Sequence, residues 1–131
     1  MGSIDSTVIS FHFAEVAAGT DQVWYVPVPM PGTWKLEKMY FTSDTARTAH
    51  ATNNTDISVE NATTEIASEV TTAGDTGNLV AGTAIELAIT GTGTSLEFAQ
   101  GGSITLKKTD GGAGLALDGG VAFYLTNTVR N

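Results

Sequence analysis

Residues 103–129 read SITLKKTDGGAGLALDGGVAFYLTNTV, and this stretch decides the fold. Ser103–Lys108 alternates, with Ile104 and Leu106 facing one way. Asp110-Gly111-Gly112 follows as a hairpin-type turn. Gly114–Leu117 reads as a short strand, and Asp118-Gly119-Gly120 as another turn. Val121–Val129 then alternates again, with Val121, Phe123 and Leu125 on one face. A period of two broken by glycine-rich turns is the signature of antiparallel β-structure, because successive side chains of a strand point to opposite faces.

The same cadence extends toward the N-terminus. Thr7–Val16 is a strand with Val8, Phe11 and Phe13 as its apolar residues. After a turn at Ala17–Asp21, Gln22–Val28 forms a second strand whose apolar run does not say which face is buried. Pro27, Pro29 and Pro31 place the following stretch at a sheet edge or outside it, since proline lacks the ladder donor. Thr33–Thr42 is a third strand, with Trp34, Leu36 and Lys38 on one face and Lys35, Glu37, Met39 and Phe41 on the other. The alternation slips at Lys38–Tyr40, which marks a bulge or an edge change. Ser43–Thr55 is a long polar surface loop. Further strands fall at Asp56–Glu60, Thr64–Val70 and Thr83–Thr90, with a short extended piece at Ser95–Phe98. The expectation is an all-β chain of eight or nine strands, folded as an antiparallel β-sandwich of the jelly-roll kind. Residues 1–6 form a flexible arm, and residues 7–131 a single domain.

Composition narrows the function. The 131 residues contain no cysteine, so no disulfide or thiolate metal site exists. Six basic residues stand against fourteen acidic ones, a net charge of −8. Phosphate neutralisation and attraction to an anionic bilayer are both disfavoured by that sign, so neither nucleic acid nor membrane is an expected partner. No apolar run approaches the roughly 20 residues that span a bilayer, and the first residues lack the pattern of a signal peptide.

Chemistry-bearing motifs are sparse. His12 and His50 have no partners at metal or triad spacing. No G-x-S-x-G elbow is present. Glu65 and Glu69, or Glu86 and Glu97, are formal carboxylate pairs of the kind glycosidases use. Asp110 and Asp118 are formal calcium ligands, but aspartate in a glycine-rich turn more commonly serves turn geometry. No catalytic, cofactor-binding or metal residue is therefore assigned. The aromatic concentration at Trp24, Tyr25, Trp34 and Tyr40 reads as core and interface packing, or as a sugar-stacking platform.

Taken in order, Val23-Trp24-Tyr25-Val26-Pro27-Val28-Pro29, Trp34–Thr42, the Thr/Ala-rich loop, Ile57–Thr63, Thr71–Gly74, Gly82–Leu87, Gly101–Leu106 and the apolar last strand resemble capsid decoration proteins of tailed bacteriophages. The resemblance spans Asp21–Val129 and is one of cadence and composition. It departs at Thr83-Ala84, where the pattern has a Thr-Pro type of entry. It implies a non-enzymatic virion protein, made in the host bacterial cytoplasm, that sits on the outer capsid surface and stabilises the mature head. It further implies a homotrimer at three-fold or quasi-three-fold sites of the major capsid protein lattice, with no cofactor. Candidate partner-contact residues are Ser3, Ile4 and Asp5 of the arm, Trp24, Trp34 and Tyr40 of the aromatic set, and Arg47 and His50 of the long loop. The alternatives are a head-fibre or tail accessory domain, and a carbohydrate-binding β-sandwich with Trp24, Trp34 and Tyr25 as its platform.

Overall fold

The structure is a computed structural model that describes residues 6–70 and 77–128. Among these residues the chain forms ten strands and one 3-10 turn. The strands are β1 (Ser6–Val16), β2 (Gln22–Pro27), β3 (Thr33–Ser43), β4 (Asn54–Asn61), β5 (Thr64–Val70), β6 (Ala84–Glu86), β7 (Ala88–Ile89), β8 (Glu97–Ala99), β9 (Ser103–Gly111) and β10 (Leu117–Asn127). The 3-10 turn, Gly93–Leu96, precedes β8.

Two antiparallel sheets pack face to face. The first has the order β1-β10-β3-β6, with β8 also on β3, and the second β2-β9-β4-β5-β7. The pairs β1–β10, β2–β9, β3–β8 and β4–β5 are nested like the two arms of one long hairpin. Rolling that hairpin brings β10 against β3 and β9 against β4, the jelly-roll arrangement. This is the all-β sandwich that the alternation calls for.

The buried faces follow the period of two. β9 turns Ile104 and Leu106 inward, and β10 turns Val121, Phe123 and Leu125 inward. They meet Ile57 and Val59 of β4 and Trp34, Leu36, Met39 and Phe41 of β3. Each such side chain contributes about 1.5–3 kcal/mol on leaving water. In β1 the expected set is partly wrong. Phe13 is buried and Ile9 and Phe11 pack against the core, whereas Val8 lies on the outer face at 49% exposure.

β3 settles the slipped alternation. Its register against β10 shifts where Tyr124 pairs with Lys38 and Leu125 with Leu36. One extra residue lets Trp34 and Leu36 before the bulge, and Met39 and Phe41 after it, all point inward. Lys38 therefore leaves the face of Trp34 and Leu36, and Met39 and Phe41 leave that of Lys35 and Glu37.

Three further expectations are corrected. Asp118-Gly119-Gly120 is not a turn but part of β10, pairing with β1 and β3. A Cβ at Gly119 would collide with the Thr42 carbonyl, so glycine serves close packing there. The turn instead takes in Gly112–Leu115 and the expected strand at Gly114–Leu117 reduces to Leu117. Finally, Thr83–Thr90 is not one strand: β6 adds to β3 and β7 to β5, so this segment straps the two sheets together along one side. Leu87, buried between them, donates its N–H to Met39 O at 3.0 Å.

One end of the sandwich is plugged by charge. The inward alternation of β9 continues past Leu106 to Lys108 and Asp110, whose side chains are 0% and 4% exposed. Lys108 Nζ donates to Asp110 Oδ1 at 2.7 Å and to the Thr20 and Ala17 carbonyls at 2.9 and 3.4 Å. Asp110 also accepts from Gly19 N at 2.7 Å and Thr55 Oγ1 at 2.6 Å. Gly114, at φ +73°, fits against this carboxylate, where any side chain would collide. Asp110→Ala should lower unfolding free energy by about 3–5 kcal/mol, because it strands a buried ammonium. Lys108→Met combined with Asp110→Leu should cost clearly less. Urea titration followed by tryptophan fluorescence measures both.

Candidate functional site

The candidate residues from the sequence do not converge. Ser3, Ile4 and Asp5 lie outside the described residues. Trp34 is 1% exposed, and its indole N–H donates to Pro31 O at 3.0 Å. It is a core residue with no surface for a partner. Trp24 packs inward, its ring centroid 4.4 Å from Phe13 and 6.1 Å from Phe11, and fills the side of the sandwich between β1 and β2. Tyr25, the next residue, points the opposite way as strand alternation requires, and is 70% exposed on the second sheet. Trp24, Trp34 and Tyr25 therefore form no common platform.

The two loop candidates are engaged within the chain. Arg47 Nη2 donates to Glu15 Oε1 at 3.0 Å and Asp118 Oδ1 at 3.1 Å, and its backbone pairs with Leu79. Thr45 Oγ1 joins the same carboxylate of Asp118 at 3.1 Å. His50 Nδ1 accepts the N–H groups of Thr52 and Asn53 at 3.0 and 2.8 Å, shaping the loop before β4. Both residues brace the 44–53 loop rather than reach out from it.

The formal acid pair Glu86 and Glu97 is likewise dispersed, and the side chain of Glu69, the partner proposed for Glu65, lies outside what the structure describes. Glu86 sits opposite Tyr40 and Glu97 opposite Lys35, five positions apart on β3. That separation is about 15 Å, beyond the roughly 5–9.5 Å of glycosidase pairs. The oxygens of Asp110 are taken by Lys108, Thr55 and Gly19, and those of Asp118 by Arg47 and Thr45. Among the described residues, no three His, Asp or Glu side chains cluster as metal ligands do.

What the fold does bring together is the outer face of the first sheet. Tyr40 of β3 and Tyr124 of β10 meet edge to face, centroids 5.6 Å apart at 71°. Gly120 and Ala122 leave β10 nearly bare beside them, so a trough of about 380 Å³ runs between Ser10 and His12 of β1 and Tyr40 and Thr42 of β3. His12 Nε2 contacts Asp44 Oδ2 at 2.5 Å at its rim. A second depression of about 450 Å³ continues past the tyrosines, along Val8, Lys38 and Thr126. Only Tyr40 of this set was singled out from sequence. Its partners come from β10, about 80 positions away in the chain, or from the middle of β1, and no local signal joins them.

A scan against protein-family models finds no matching family, and neither the curated proteins nor the solved structures yield a match.

The Trp34 assignment has a direct check. In Trp24→Phe, where Trp34 is the sole tryptophan, emission should be blue-shifted and weakly quenched by acrylamide. Emission like that of indole in water would place Trp34 on the surface instead.

Proposed function

We propose that this protein is a non-enzymatic virion structural protein: a capsid decoration protein that binds the outer surface of a phage head and stabilises its mature form. The observation that carries the reading is the free edge of the second sheet. Among the described residues β2 pairs with β9 on one side only, and it exposes Val23 and Tyr25, at 40% and 70%. An exposed apolar pair on an edge strand is a surface made for a protein neighbour. The resemblance in cadence to decoration proteins points the same way, and the jelly roll suits a rigid accessory module.

The proposed partner is the major capsid protein lattice, contacted by a homotrimer at three-fold or quasi-three-fold positions. Symmetry matching gives three contacts per binding event, and linked contacts multiply affinity. A ligand that binds only the expanded lattice stabilises that lattice by mass action. Residues 1–5 lead into β1, which among the described residues pairs only with β10, so the arm is suited to strand addition onto a neighbour.

Light scattering after size exclusion should give a mass about three times 13.6 kDa if the trimer forms before docking. Co-sedimentation with expanded and unexpanded heads of the phage that encodes the chain tests the reading itself. Binding is expected to expanded heads alone. Val23→Thr with Tyr25→Ser should weaken it at least about tenfold without loss of fold, and removal of residues 1–5 should weaken it too. Equal binding to both head forms, or to neither, would sink the proposal.

A further inference from the structure

The outer face of the first sheet carries a feature that the decoration reading does not use. Gly120 lies in the middle of β10, the strand flanked on both sides by β1 and β3. Glycine inside a strand is destabilising by about 0.5–1 kcal/mol relative to alanine, so its presence asks for a reason. At Gly119 the reason is packing. At Gly120 it is not: a Cβ would meet only ordinary contacts, Phe11 O at 3.5 Å and His12 Cδ2 at 3.6 Å. Its φ also lies outside the left-handed region. Neither the backbone nor the neighbours exclude a side chain here. What a side chain would do is fill the floor of the trough. Strand glycines mark bulges, bends, or places where a ligand or another backbone approaches closely; the register shift of β1 falls between Phe13 and Val16, past Gly119, whereas Gly120 pairs with His12 in regular register.

The lining identifies the ligand class. The floor strand β10 is paired on both sides, by β1 and β3, so a strand laid over it has no backbone groups to engage. The occupant must be held by side chains. Tyr40, fixed against Tyr124, offers a rigid aromatic wall at small entropic cost. Around it stand short polar groups: the Ser10 and Thr42 hydroxyls and the His12 imidazole, whose Nε2 is held by Asp44. An apolar floor, an aromatic wall and a surround of hydroxyl, imidazole and carboxylate groups match a pyranose, which presents C–H faces and hydroxyl edges together. The charge argues for a neutral sugar. The chain is at −8, and Asp44 at the rim and Glu86 beside Tyr40 would repel an anion.

We propose that this strip binds a neutral saccharide, with one ring seated over Gly120 and Ala122 against Tyr40. The second depression, beyond Tyr124, would take the next sugars of the chain, since Gly120 to Thr126 spans about 20 Å. The site lies on the sheet opposite Val23 and Tyr25, so a decoration protein seated through β2 would hold it away from that contact. The inference stands independently of the capsid reading.

Titration of the ¹⁵N-labelled full chain with cellohexaose, maltohexaose, mannopentaose and chitotetraose, each to about 10 mM, tests it by amide shifts. At least one of them should move the amides of His12, Thr42, Gly120 and Ala122, while a galacturonic acid oligomer should not. Gly120→Val should weaken that binding at least about tenfold with an unchanged or higher Tm. Tyr40→Ser, which leaves the floor intact, should weaken it comparably. No shift at these amides with any of the four neutral sugars would overturn the proposal, as would undiminished binding by Gly120→Val. Shifts that follow protein concentration without sugar would assign the trough to a second copy of the chain, and would overturn it too.

Discussion

The buried pair of Lys108 and Asp110 is the interaction on which one whole end of this molecule depends. A sandwich without cysteine has to close its ends with non-covalent contacts. Here the inward row of β9 runs Ile104, Leu106, Lys108, Asp110, and changes from apolar to charged as it leaves the core. The ammonium collects the carbonyls of the β1–β2 turn, and the carboxylate collects Gly19 and Thr55. Three separate stretches of chain, β9, the β1–β2 turn and β4, thereby meet at one ion pair. Such a pair gains little over an apolar plug of the same shape, but it punishes any arrangement that leaves one charge alone.

The second constraint is the division between inner and outer faces in the first sheet. The bulge in β3 gives the core four large side chains, Trp34, Leu36, Met39 and Phe41, from one strand. It also fixes what remains outside: Lys35, Glu37, Lys38, Tyr40 and Thr42. The outer face therefore owes its tyrosine pair to the same shift that fills the core. The strap formed by β6, Leu87 and β7 then seals one side of the sandwich, while Trp24 and Phe13 fill the side between β1 and β2.

Two different surfaces result. The second sheet ends in an edge strand with an exposed apolar pair, Val23 and Tyr25, on which the proposed capsid contact rests. The first sheet carries a side-chain-lined trough over a saturated backbone, suited to a small polar-and-apolar ligand. Some charged side chains elsewhere on the described surface tie elements of the chain together. Arg47 ties the 44–53 loop to β1 and β10, and Lys107 joins Glu60 at 3.2 Å across β9 and β4.

The alternation in Asp56–Glu60, Ser103–Lys108 and Val121–Leu125 by itself determined the all-β class and most of the core, because a strand's two faces are written locally as a period of two. The slip at Lys38–Tyr40 was visible as well, but not the face that each side of it would take. Those choices belonged to tertiary structure, since a bulge acquires its direction only from the strand paired with it. Glycine was the other ambiguity. Asp118-Gly119-Gly120 has the composition of a turn, and only the approach of Thr42 and Phe41 shows why a strand needs glycine at that point. The fates of Trp24, Trp34, Arg47 and His50 were equally hidden, because their neighbours lie on other elements or depend on how the loop folds. The trough was not legible at all. It is made by residues missing from one strand as much as by residues present on two others, and an absence acquires a shape only when its walls are in place.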